Sequence, residues 1–289
     1  MKITILIPVY NDWQSLFKLL EKISYEIKNL DHKFSIIIIN DGSTENIPEV
    51  KIGLDNFDFV KLLNIKSNMG HARGIALGLK FILKKQDFDY IIPMDGDGED
   101  RPEEIKDLIE KSQNDFKSVV TANRVKRSEG IFFKICYELH KLMTLVFTGQ
   151  NVKFGNFTLL PKSTVEKMVA EKATWNSFSG ALCRITKDRK SIPSIRGERY
   201  FGPSKMSFFN LIEHSLSIIS VFKYTWLVRS IIFLVVYIYL ISSYISAITL
   251  IPLVVMIVLN TMIFKLSLRE NINEYQDSLS KISNINILK

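Results

Sequence analysis

Cysteine is nearly missing from this chain: Cys136 and Cys183 are the only two among 289 residues, far apart and without metal-ligand spacing. That excludes a disulfide scaffold and a cysteine zinc site and leaves two reduced thiols. No glycine- and lysine-rich phosphate loop follows the first apolar run, which ends instead in "PVYND". The opening "MKITILIPVYN" has one basic residue and an apolar run cut short by Pro8. It reads as a buried first strand, not as a signal peptide. Internal repeats and low-complexity segments are missing too. The most informative absence is local: no charged residue occurs from Ser230 to Phe264.

As one helix that run would extend about 52 Å at ~1.5 Å per residue, well beyond a hydrocarbon core of ~30 Å. Two shorter helices, about 228 to 243 and 247 to 264 with a break near "SSYIS", fit a membrane hairpin. Arg229 flanks it on one side and Lys265 and Arg269 on the other, which predicts both outer ends in the cytoplasm. The preceding "SFFNLIEHSLSIISVFKYTW" is amphipathic and aromatic, as in a helix lying along the interface. Elsewhere charge is plentiful: 38 Lys and Arg against 30 Asp and Glu give a net charge of +8. A basic balance suits nucleic acid, anionic lipid or phosphorylated small molecules. No nucleic-acid-binding motif is present and the cations cluster beside the hairpin, so nucleic acid is not expected.

The first half alternates apolar runs ("KITILIPV", "KFSIIIIN", "FVKLLNI", "DYIIPM", "KSVVTA") with helical patterns. Such strands between helices predict an α/β fold, a mainly parallel sheet covered on both faces. Ligands of these sheets bind beyond the carboxyl ends of the strands, where "YND", "NDGST" and "DGDGED" fall. Asp12 and Asp41 therefore meet one edge, where carboxylates can accept from a nucleobase or ribose. In "MDGDGEDRPEEI", Asp95, Asp97 and Glu99 alternate along an extended loop and can converge, with Gly96 and Gly98 easing the backbone. Converging carboxylates repel unless a cation joins them, and hard oxygen ligands suit Mg2+ or Mn2+. The full calcium-loop pattern is not there. Asp100, before Arg101-Pro102, is expected to cap the following helix.

Four motifs in order, "ILIPVYND", "IIINDGST", "NMGHARGIALGL" and "MDGDGEDRPEEI", resemble family 2 glycosyltransferases with the GT-A fold over about the first 125 residues. "ANRVKRSEG", "RGERYFGPSKM" and the apolar hairpin resemble the polyprenyl-phosphate branch of that family. The resemblance implies a metal-dependent, inverting transfer from a nucleotide-sugar to a lipid-linked acceptor, polyprenyl phosphate first, with a hydroxyl of a lipid-linked saccharide as the alternative. It implies that Pro8, Tyr10, Asp12, Asp41, Asn68, Gly70, Asp95 and Gly96 bind the nucleotide-sugar. Asp95, Asp97 and Glu99 would hold Mg2+ or Mn2+. Asp97, Arg124, Arg199 and Lys205 would carry the chemistry. The chain departs from the pattern at Asn40, His71, Glu99, Asn156, Thr158 and Pro161.

The expected organisation is a cytoplasmic GT-A domain over 1–205, an amphipathic interfacial segment over 206–227, a transmembrane hairpin over 228–265 and a cytoplasmic tail over 266–289. Expected partners are the donor, the lipid acceptor and the bilayer, and the question of a homo-oligomer stays open. A phosphate acceptor is already anionic and needs no general base, which agrees with the lack of an acid that stands out between Lys126 and Ser191. A nucleotidyltransferase would carry the phosphate loop that "PVYND" is not. A non-enzymatic acidic pocket would bind metal without transferring anything.

Overall fold

The structure is a computed structural model of the whole chain; it describes all residues except 50–52, 114, 116, 127–130 and 204–207, and the side chains of 126, 131–137 and 208 also lie outside the description. Strands β1 (Lys2–Val9), β2 (Lys33–Asn40), β3 (Phe59–Ile65) and β4 (Tyr90–Pro93) form where the apolar runs predict them. Between them run α1 (Trp13–Ile27) and α2 (His71–Lys85). Then follow α3 (Ile105–Ser112), β5 (Val119–Lys126), α4 (Ile131–Thr148), β6 (Phe154–Pro161), α5 (Lys162–Ala170), α6 (Phe178–Ile185) and β7 (Arg189–Ile195). The C-terminal part is α7 (Phe208–Ser220), α8 (Lys223–Ile241), α9 (Ala247–Ser267), α10 (Ile272–Gln276) and β8 (Ile282–Ile287).

All eight strands join one sheet in the order β7-β5-β6-β4-β1-β2-β3-β8. β4, β1, β2 and β3 are parallel, while β6 runs antiparallel to both of its neighbours. The alternation of side chains explains the two cores. Ile3, Ile5 and Ile7 of β1 pack with α1 residues such as Leu16 and Leu20 on one face. Leu6, between them in sequence, packs on the other face with Ile75, Leu79 and Ile82 of α2. Burying both faces of a parallel sheet accounts for the near-continuous apolar strands.

The polar segment after Arg269, expected as a tail, is instead part of the sheet. β8 pairs antiparallel with β3, Leu63 opposite Ile285 and Asn64 opposite Asn284. β8 is mostly exposed and mixes three Ile with Ser and Asn, too little apolar surface to stand out, which is why the segment reads as a tail. Before it, α10 docks on α2. Lys80 is buried, and its Nζ donates to the carbonyl of Tyr275 at 2.8 Å and to that of Gln276. The Tyr275 ring stacks on Trp175 at 5.2 Å, and its hydroxyl donates to the carbonyl of Ala76. Burial pushes the Lys80 ammonium below its ordinary pKa, so the carbonyls at the end of α10 are what keep a cation there. Replacing Lys80 with Leu is expected to lower stability by ~2 kcal/mol, the scale of a charge-assisted hydrogen bond. Limited proteolysis should then cut first around residues 270–281; a wild-type cleavage pattern would refute the docking role.

Helices α8 and α9 are long and apolar enough to cross a membrane, with a mean hydropathy of 1.9 over Lys223–Ile241. α8 starts five residues before the expected 228, because Trp226 is buried against α9 and extends the helix toward α7. Trp226 Nε1 and Ser230 Oγ both donate to Asn260 Oδ1, at 2.9 and 3.0 Å. Polar pairs of this kind hold apolar helices together where burial alone gives no preference.

Candidate active site

The acidic loop leaves β4 at the centre of the sheet, and each of its carboxylates has a partner. Asp95 Oδ1 takes hydrogen bonds from His71 Nε2 at 2.9 Å and Asn156 Nδ2 at 3.2 Å. Asp97 Oδ2 is 2.5 Å from Arg199 Nη1, and Arg199 Nη2 lies 2.6 Å from Asp12 Oδ2. Glu99 pairs with Arg196. The segment 196–200 is laid along the loop by its backbone: Gly197 N donates to the Glu99 carbonyl and Tyr200 N to that of Asp97. Gly98, at φ +90, has the Tyr200 ring against its α-carbon; an added Cβ would sit 2.5 Å from that ring.

Asp100 does not cap the next helix as expected. Its side chain is buried and accepts from the backbone amide of Asp95 at 2.9 Å, closing the acidic turn. The short 3-10 turn at Pro102–Glu104 starts without a side-chain cap. Burial and the Asp95 charge push the Asp100 carboxyl up to about 8. The same two causes push Asp97 up to about 6, against the pull of Arg199. Asp95 is held below the ordinary range: burial opposes its charge, but His71, with Arg124 and Asn156, outweighs it. His71 is raised in turn, Asp95 overcoming the effect of burial.

Folded protein therefore keeps protons on Asp97 and Asp100 at pH values where the unfolded chain has released them. Stability of the ligand-free protein is expected to fall as pH rises from about 4 through 6 to 8. The His71 contribution, present below its unfolded pKa, fades in the same direction as pH rises. Asp95 works the other way: with its folded pKa lowered, its contribution is present above the unfolded carboxylate pKa and is lost only as pH falls below about 4. Thermal unfolding at pH 5 and 8 tests this. Asp100→Asn, which can still accept from Asp95 N, should flatten the dependence, and an unchanged slope would refute the assignment.

Pro8, Tyr10, Asp41, Asn68 and Gly70, five of the expected nucleotide-sugar residues, line one cavity of about 400 Å3. His71 and Arg73 of α2, Trp175 and Asn176, Asn210, Glu213, His214 and Ser217 of α7, and Arg269 after α9 close its other side. The two oxygens of Asp41 accept from the amides of Met69 and Gly70, each at 2.8 Å, so Asp41 fastens the start of α2 as well as facing the cavity. Asp12 does not line this cavity; it is in the Arg199 bridge. Gly96 lies at the end of β1, where a Cβ would come 3.1 Å from the Pro8 carbonyl. Arg124 lies over Gly155, with its Nη2 2.7 Å from where a Cβ would be. It makes no ion pair or hydrogen bond through its side chain to the described residues, and its charge reaches Asp95 and Asp100. Lys205 lies outside the described residues.

Sequence reasoning missed the far wall of the cavity. Burial pushes His214 down to about 4, with His71 adding to the shift, so α7 presents a neutral imidazole there. No local pattern places His214 or Arg269 at the cavity; they reach it only because α7 and the end of α9 fold back on the sheet. Of the departures from the family pattern, Asn156 and His71 meet on Asp95. Thr158 is buried in the sheet and bonds its hydroxyl to the Asn156 carbonyl.

Oxygen donors in excess of cations, and an Asp97 carboxyl raised by burial and by the charge of Asp95, fit a site for a hard divalent ion at Asp95 and Asp97. Glu99 is turned to Arg196 instead. Among the described residues no three acidic, His or Cys side chains already converge as a ligand set.

The central parallel strands with polar loops at their carboxyl ends, the acidic turn after β4 and the antiparallel β6 define a GT-A type fold. Glycosyl transferase family 2 matches residues 4–183, more than half of the chain, and the chain belongs to that family. It is 28% identical over 216 residues to the undecaprenyl-phosphate 4-deoxy-4-formamido-L-arabinose transferase of Salmonella choleraesuis, covering 73% of this chain and 64% of that protein. The protein of that name from Photorhabdus laumondii is also 28% identical, over 219 residues, 73% of this chain and 65% of its own length. The match thus spans less than two thirds of these relatives. Among solved structures, the mannosyltransferase of Pyrobaculum calidifontis in complex with GDP-Man and Mn2+ superposes with a TM-score of 0.52, covering 95% of this chain and 87% of that one at 12% identity. Glucosyl-3-phosphoglycerate synthase of Mycobacterium tuberculosis, with Mn2+, UDP and glucosyl-3-phosphoglycerate, gives 0.53 at 14% identity, over 78% and 79% of the two chains. These two likenesses support the fold.

Proposed function

We propose that this chain is a membrane-attached, metal-dependent glycosyltransferase that moves a sugar, with inversion, from a nucleotide-sugar to polyprenyl phosphate on the cytoplasmic face. The observation that carries the reading is the shared cavity. Strand ends that suit a nucleoside form one wall, and α7 with Arg269, the segments that enter and leave the apolar hairpin, form the other. Donor and bilayer-borne acceptor would meet there. The names of the curated relatives support the acceptor class.

Pro8 and Tyr10 would flank the base, and the Asp41 loop would hold the ribose. Asp97 with Asp95 would hold Mg2+ or Mn2+. When bound, the ion supplies charge neutralisation for the departing diphosphate. Arg124, next to Asp95 and without an ion pair among the described residues, would hold the lipid phosphate by a charge-assisted contact. A phosphate oxygen then attacks the anomeric carbon from the side opposite the leaving group. The bond from that carbon to the donor diphosphate breaks, and nucleoside diphosphate departs with the electron pair. No proton has to move, so positioning and charge stabilisation suffice. Glu99→Gln is expected to be mild, within a few-fold, because Gln can still bond Arg196.

Incubation of the detergent-solubilised protein with a panel of nucleotide-sugars, Mn2+ and polyprenyl phosphate, followed by lipid extraction, tests the reading. Sugar recovered in the lipid phase supports it. Transfer only to a lipid-linked saccharide would select the hydroxyl acceptor, and metal binding without transfer of any sugar would overturn the enzyme reading. For topology, a tag after Lys289 is expected to be accessible from the cytoplasm; access only from the outer side would reject it. Because β8 completes the sheet, removing everything after residue 207 would strip the catalytic domain of its edge strand along with the hairpin.

A further inference from the structure

Three strands carry asparagine at matched positions near their ligand-facing ends. Asn40 of β2 lies opposite Asn64 of β3, and Asn64 lies opposite Asn284 of β8. Their amides form a ladder. Asn64 Nδ2 donates to Asn284 Oδ1 at 2.7 Å and to Asn286 Oδ1 at 2.8 Å. Asn40 Nδ2 donates to Asn64 Oδ1 at 2.7 Å. The last acceptor, Asn40 Oδ1, takes the backbone amide of Ser43 at 3.0 Å. Ser43 Oγ accepts from Asn11 N at 3.0 Å, and Asn11 Oδ1 accepts from Thr44 N and Glu45 N at 2.9 and 3.1 Å. Asn11 is the one non-glycine residue among the described positions with a positive φ, 49°, a conformation that these bonds must hold in place.

We infer that β8, which enters the sheet only after the apolar hairpin, positions the two donor loops through this ladder: Asn284 and Asn286 through Asn64 and Asn40 set the geometry of 41–45 and 10–12. The inference rests on the proposed donor site. None of the four asparagines is among the residues lining the cavity, so they are positioning residues. The chemistry favours this over mere edge pairing. A strand can be held by its backbone ladder alone, and apolar residues would serve at Asn40, which is 7% exposed. A row of amides instead gives its members a direction: at Asn40 and Asn64 the Nδ2 group donates toward β8 and the oxygen accepts from the side of the loop. Asn40 is left with its oxygen turned to the loop amide that follows Asp41. An acid at position 40 would repel the neighbouring Asp41 and could not donate to Asn64. An amide at this place is what lets the row continue.

The test uses the full chain in detergent with two readouts. Asn64→Leu and the double substitution Asn284→Ala/Asn286→Ala are compared with Ser283→Ala, which removes a bond from the same strand to the Asn64 carbonyl, 2.9 Å, without touching the amides. In ligand-free protein, amide exchange of Ser43 and Thr44 is expected to speed up in the first two variants and not in the third. The Kd for a nucleoside diphosphate with Mn2+, measured by calorimetry with UDP and with GDP, is expected to rise about five- to ten-fold in the same two variants, the scale of one lost net hydrogen bond. kcat at saturating donor should stay near wild type. Asn64→Asp keeps an acceptor for Asn40 and can take turned amides from Asn284 and Asn286, so it should recover most of the affinity. Unchanged exchange at Ser43 in Asn64→Leu, or an equal effect from Ser283→Ala, overturns the ladder. Wild-type protein that binds neither nucleotide overturns the donor reading instead, and the exchange result still decides whether the ladder holds the loop.

Discussion

Asn in place of Asp97 is expected to remove all but a trace of sugar transfer, a fall on the order of a hundred- to a thousand-fold, the scale seen when one element of charge stabilisation is deleted from a transition state. The protein should stay folded. Asp97 is raised to about 6 by burial and by its neighbour Asp95, so the folded state already bears a cost for its charge that Asn does not have. Arg199 would keep its second partner, Asp12, 2.6 Å away. What Asn cannot supply is an anionic ligand for a divalent ion. Transfer assayed over a Mn2+ titration, alongside thermal unfolding, separates the two effects. Near wild-type turnover at saturating Mn2+ would sink the assignment of Asp97 to the metal.

The second large effect is expected at Arg199. Its guanidinium bridges Asp12 and Asp97 in a part-buried setting, the side chain 16% exposed. Arg199→Ala leaves two carboxylates facing one another without their shared cation, and it removes a planar donor suited to phosphate. Transfer should drop about ten- to a hundred-fold, corresponding to roughly 1.5–3 kcal/mol for a charge-assisted contact. If Arg199 turns to the phosphates during transfer, the loss falls in kcat more than in donor KM. Arg199→Lys should recover only part, since an ammonium cannot span both carboxylates with paired N–H groups. Because Arg199 holds the carboxylate that the ion would use, Arg199→Ala should also reach half-maximal activity at lower Mn2+. Changes below two-fold in kcat, KM and Mn2+ requirement would reduce the loop to a connection toward the membrane.

Much of the site is legible in the sequence. Pro8, Tyr10, Asp41, Asn68 and Gly70 come together because each lies at or just after the carboxyl end of a strand of the same parallel sheet, and parallel strands put those ends on one edge. The acidic loop is legible for the same reason. The pairing within it is not. Arg196 and Arg199 lie about a hundred residues from Glu99 and Asp97, and alternation along a loop says nothing about which cation arrives. Three alternating carboxylates suggest convergence on one ion, whereas Glu99 is drawn to Arg196 and Asp100, which reads as a cap, folds back to the amide of Asp95. Strand β7 is not among the apolar runs that read as strands, because at the sheet edge only its alternate residues Ile192 and Ser194 are buried.

Composition and periodicity by themselves determined the buried parallel strands, the helices between them and the two apolar helices of the hairpin. Each of these is a matter of burial on a fixed period, 2 or 3.6 residues, or of a run too apolar for water. Tertiary structure alone decided the fate of the C-terminal segment. "ISNINI" carries too little apolar surface to declare itself a strand. It becomes one because Lys80 and Trp175 anchor Tyr275 beside α2 and deliver it to the open edge of β3, where backbone hydrogen bonds and the asparagine ladder, not hydrophobic burial, hold it. The far wall of the cavity was decided in the same way. His214 and Arg269 are ordinary polar residues in sequence, and they face Pro8 and Asp41 only because both ends of the apolar hairpin are tied down on the same catalytic sheet.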